Sequence, residues 1–154
     1  MPHFALIDTA RDSRLLPMIQ QEAQWRCMFG GEVAPEVMAV APFIVRLDPG
    51  RPFTKALQTQ GWTDHWGITC HAAASLIDTR RMLRRNLEAM TPSGQNLLFR
   101  FYDPRVFVPF IEVATPADLD PWFDPVDMYW ARNAKTGATM KYSRGPNGLV
   151  IETV

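Results

Sequence analysis

Excess charge is missing from this chain. Sixteen basic residues balance sixteen acidic ones over 154 residues, so no long-range field draws the molecule to nucleic acid or to an anionic bilayer. Cysteine is scarce as well. Cys27 and Cys70 cannot form a disulfide framework and read as two reduced thiols. Long apolar runs are absent. The longest clean stretch, "VMAVAPFIV", falls far short of the roughly 20 residues a membrane helix needs, and it contains Pro42. The opening "MPHFALIDTARD" has neither a basic leader nor an extended apolar segment, so the expected setting is cytoplasmic, without a membrane partner. No G-x-G-x-x-G, phosphate loop or G-x-S-x-G elbow occurs, which removes the common cofactor, nucleotide and serine-hydrolase signatures. No cofactor is expected.

What is present is a folded globular domain, 47% hydrophobic and rich in Trp and Phe. "HFALID" (3–8) reads as a first strand. "PMIQQEAQW" reads as a short helix entered at Pro17, a residue suited to a first helical turn. "RCMFGGEVAPE" reads as an irregular connection, and "MAVAPFIVRL" as a buried strand with Pro42 at an edge, a bulge or its entry. After the turn "DPGRP", "PFTKALQTQG" predicts a helix stopped by Gly61, and "HWGITCHA" a third strand. Residues 75–90 predict the clearest helix. Ser75 and Asp78 have capping-box spacing, and Leu76, Leu83, Leu87 and Met90 share a face. "NLLFRFY" predicts a fourth strand, and Asp103-Pro104 an N-cap with proline in the first turn. Thr115-Pro116 opens a further helical start. From Asp127 the pattern changes to "DMYWAR", "ATMKYS" and "GLVIETV", short strands around turns. The expected architecture is α/β: a mixed central sheet with flanking helices over residues 3–126, then a small antiparallel β meander over 127–154 in the same domain.

Three groups of residues invite a functional reading. Cys70 and His71 are neighbours on an expected strand, where successive side chains point to opposite faces, so they make a poor nucleophile and base. Cys27, His65, Cys70 and His71 lack C-x-x-C or other zinc-ligand spacing, and no metal site is expected. In "RRMLRR", Arg80, Arg81, Arg84 and Arg85 line one side of the best helix. In a neutral chain without an RNA-binding motif this face suits solvent or a partner protein better than nucleic acid. The third group is Arg100, Tyr102, Asp103 and Arg105 in "LLFRFYDPRVFVPF". Asp103 can cap the helix that follows it, with Arg105 and Arg100 in reach. A carboxylate so paired is held ionised, which suits fastening or recognition rather than acid-base work at neutral pH.

The segment "FRFYDPRV" resembles the signature of the bacterial type VI secretion adaptor family, first catalogued as a domain of unknown function. "FALIDTARDSRLLPMI" resembles that family's opening strand and leucine-proline helix, and "VAPFIVRL" its second strand. "HWGI" and "RRMLRRNLE" follow in the expected order, so the resemblance covers most of residues 3–126. Two places depart from it: "WFDPV" puts Asp124 where the family often has the glycine of Phe-Gly-Pro, and the basic helix lacks the histidine common there, with Asn86 in its neighbourhood. The resemblance implies a chaperone that binds a toxic effector and helps load it on the spike tip, a valine-glycine repeat protein with or without a PAAR cap. It implies no enzymatic activity. Arg80, Arg84, Arg100, Tyr102 and Arg105 are then the expected partner contacts, with Asp103 and Pro104 structural. The alternative is a small hydrolase or transferase that grips an anionic substrate with Arg100, Asp103 and Arg105. A third is a nucleic-acid binder acting through the Arg80 to Arg85 face.

Overall fold

The computed structural model describes residues 3–154. One seven-stranded sheet organises them, and each of its pairings is antiparallel. In chain order the strands are β1 (His3–Asp8), β2 (Trp25–Cys27), β3 (Pro42–Arg46), β4 (Gly67–Ala72), β5 (Glu88–Met90), β6 (Asn96–Leu98), β7 (Val126–Arg132), β8 (Thr139–Gly145) and β9 (Gly148–Thr153). The large sheet runs β2-β3-β1-β4-β7-β8-β9, and β5 and β6 form a separate hairpin. The helices are α1 (Leu15–Gln20), α2 (Pro35–Met38), α3 (Pro52–Ala56), α4 (Leu76–Arg84) and α5 (Pro104–Glu112).

Alternation along β1 splits the core in two. Phe4 and Leu6 face one side with Ile68, Cys70 and Tyr129, under α4 and α5. Ala5 and Ile7 face the other with Phe43 and Val45, under α1 and α3. The α/β class is as the sequence predicts, and Pro42 takes the first position of β3, where a missing N–H does least harm. The expected meander continues the large sheet: β7 pairs with β4, so the C-terminal strands extend one surface.

Four expectations need correction. The sheet is not mixed, since no parallel pairing occurs among the described residues. Helix α4 stops at Arg84 rather than Met90. A 3-10 turn (Arg85–Leu87) follows, and residues 88–90 pair with 96–98 instead. Leu76, Leu83 and Leu87 are buried as the helical pattern requires, whereas Met90 is 73% exposed. The fourth strand is correspondingly short. After Leu98 the chain leaves the strand and turns, and Phe101 and Tyr102 are buried from that turn. Finally, Gly61 does not end its helix. A π-type segment (Leu57–Gly61) carries helical backbone on to Thr63. Gly61 lies against the Trp66 ring, and a Cβ there would overlap it.

Candidate functional site

The "FRFYDPRV" segment forms a clasp between β1 and α5. Its aromatic residues enter the core: Phe99 packs edge-on to Phe110 at 4.9 Å, and Phe101 to Trp122 at 4.9 Å. Its polar residues close the chain around them. Asp103 caps α5, its Oδ1 accepting from the Arg105 backbone N–H at 2.9 Å. The Arg105 guanidinium grips the same carboxylate through Nε at 3.0 Å and a terminal nitrogen at 2.8 Å. Burial alone would raise the Asp103 pKa. The side-chain and backbone hydrogen bonds from Arg105, with the charges of Arg105 and Arg11, more than offset that and hold it below the usual value.

Arg100 does not reach Asp103. It donates to Asp8 Oδ2 at 2.8 Å, and that hydrogen bond raises the Arg100 pKa. Asp8 ends β1, almost wholly buried, and its Oδ1 caps the 3-10 turn Thr9–Arg11 through the Ala10 N–H at 3.0 Å. Sequence reasoning missed Asp8, although an aspartate at a strand end followed by a polar turn is a recognisable capping signal. Tyr102, expected as a partner contact, is only 3% exposed, so its ring serves the core in this conformation. The clasp is closed.

A second site lies beside α4. A groove of about 750 Å³ opens between that helix, the loop after β2 and the β5–β6 hairpin. Met28, Phe29, Ile77, Leu87 and Leu98 supply its apolar lining. The four arginines expected on one side of the helix all line it, yet they are not equivalent. Arg80 folds back, donating through Nε to the Cys27 carbonyl at 2.7 Å and through a terminal nitrogen to the Phe29 carbonyl at 3.1 Å. Arg81 pairs with Asp78 at 3.1 Å, both largely exposed. Arg84 and Arg85 are exposed and form no ion pair among the described residues. The Arg84 guanidinium lies over Gly30, where a side chain would displace it.

A family model described as a domain of unknown function, DUF4123, matches residues 3–120. The chain belongs to the DUF4123 family. No curated protein and no solved structure matches it. The DUF4123 match takes in both the clasp and the arginine groove, and it ends before β7, so the last three strands lie outside it. Just beyond the match, exposed Asp124 has φ of 76°, a left-handed conformation that glycine adopts without strain. Asn86 anchors the end of α4 to the following layer by donating to the Pro121 carbonyl at 2.8 Å.

The remaining sequence candidates separate in space. Cys70 is fully buried, and burial pushes its thiol well above the usual range, which disfavours the reactive thiolate. His71 lies on the opposite face, its Nδ1 2.8 Å from Asp127 Oδ1. That face also carries a cavity of about 670 Å³ lined by His3, Thr69, Trp62 and Trp130 among others, which no local signal announces because its walls come from segments distant in the chain. No helix among the described residues is long and apolar enough to cross a membrane.

Proposed function

We propose that this DUF4123 chain is an effector adaptor of a bacterial type VI secretion system. In the cytoplasm it binds a toxic effector and hands it to the spike tip, a valine-glycine repeat protein with or without a PAAR cap. One observation carries the reading: the charges of the "FRFYDPRV" segment are spent on holding the chain together, while the broad, partly apolar groove beside α4 keeps two arginines that form no ion pair among the described residues. Such a surface suits protein binding, with apolar contacts supplying affinity and charges fixing register. An enzyme working through Arg100, Asp103 and Arg105 needs one of them free to move a proton or grip an anion. Asp103 is doubly bound with a depressed pKa, and Arg100 and Arg105 each hold a nearly buried carboxylate. The adaptor therefore has no turnover of its own. Deleting the gene tests the proposal in the cell. Effector abundance or export should fall while the secretion machine still assembles, and normal export of every effector would contradict it.

A further inference from the structure

The groove's composition also narrows what can lie in it. Its polar wall runs along α4 into the 3-10 turn that follows, and within the helix Arg80 and Arg84 are four residues and so roughly 6 Å apart along the axis. From Ile77 to Arg84 the lined stretch of α4 corresponds to about two helical turns. Arg80 is occupied by two backbone carbonyls and Arg81 by Asp78, leaving Arg84 and Arg85 as the cations an incoming partner meets. Beside them, Ile77 on the same helix and Leu98 on the hairpin are 43% and 49% exposed, more apolar surface than a solvated charged face would carry.

Building on the adaptor reading, we infer that this groove receives an amphipathic acidic helix of the partner. The helix lays its apolar face on Phe29, Ile77 and Leu98 and presents carboxylates at i, i+4 spacing to Arg84 and Arg85. Paired guanidinium groups grip carboxylates in bidentate fashion, and the apolar floor excludes water from the contact. A nucleic-acid strand fits less well. Phe29 is partly buried in the core and so offers no free ring for base stacking, and the chain as a whole carries no net positive charge.

The test uses the full chain and its double variant Arg84→Glu, Arg85→Glu. Both positions are exposed, so unfolding midpoints should match, and binding differences then report the groove. Three fluorescently labelled probes are titrated: a helical peptide with Leu along one face and Glu at i, i+4 on the other, the same peptide with Lys for Glu, and a single-stranded oligo-dT of comparable charge. The wild-type chain should bind the Glu peptide about tenfold or more tightly than the Lys peptide, and the double variant should lose or invert that preference. Equal binding of the two peptides, an unchanged preference in the variant, or tighter binding of oligo-dT than of the Glu peptide would overturn the inference. Co-expression with the effector keeps the two ideas apart. If wild type and double variant retain the effector equally, the adaptor reading stands and the groove inference fails. If neither retains it while the Glu-peptide preference holds, the groove stands and the adaptor reading fails.

Discussion

Asp103 illustrates how much one residue holds here. It caps α5, accepts two guanidinium nitrogens of Arg105, and is itself nearly buried. Asp103→Ala should therefore cost about 1–2 kcal/mol of stability in denaturant unfolding, and Asp103→Asn, which can still cap, distinctly less. The charge has a pH signature. Its folded pKa lies below the usual 3.8, so the stabilisation is complete above that value and is lost as pH falls through the lower, folded one. The wild-type advantage over Asp103→Asn should shrink in that acid window. His65 works at a milder pH. Burial, then the charges of Arg105 and Arg132, lowers its pKa from 6.5, so the unfolded chain binds the proton first and stability declines as pH drops below 6.5. His65 also has φ of 59°, which asparagine tolerates. His65→Asn should fold and flatten that decline, and an unchanged pH profile would show that His65 is not its source. The capping role of Asp103 was legible because Asp-Pro after an apolar run is a local signal. The Asp8–Arg100 pair was not, since 92 residues separate its members.

At the scale of elements, legibility follows the same division between local and distant causes. Strand β1 and the start of α5 were readable because alternation and capping residues act within a few positions, and Pro42 takes the entry of β3, one of the three places open to it. The end of α4 was not. Residues 85–90 continue a plausible helical pattern, but Glu88–Met90 gain a pairing with Asn96–Leu98 and Leu87 accepts from the Phe99 N–H, contacts that periodicity cannot announce. The arginines of α4 looked alike in sequence and differ in the fold. Arg80→Ala should cost about 1–2 kcal/mol by releasing the Cys27 and Phe29 carbonyls, whereas Arg84→Ala should stay within about 0.5 kcal/mol. Equal losses would mean the two side chains play one role. In the loop before β7, Asp124→Gly should stabilise by about 1 kcal/mol by relieving the left-handed backbone, as seen in an upward shift of the thermal midpoint.

As a whole molecule, the chain joins zero net charge to a sheet covered by helices on both sides, with a cleft beside α4 that is both apolar and basic. Residues 3–120 belong to DUF4123, and the strands beyond them extend the same sheet. If an effector segment fills the cleft, its binding should show a negative heat-capacity change from buried apolar area and only a modest weakening with salt. Reversing Arg84 and Arg85 should slow association more than it speeds dissociation if their charges sit at the rim. The adaptor account is tested most directly by co-expressing this chain, tagged, with the products of adjacent toxin and spike genes and purifying it under native conditions. The account predicts that the toxin is retained in a stable, soluble complex, with the spike protein joining once the toxin is present. Recovery of the chain alone, with the toxin equally soluble in its absence, would contradict it.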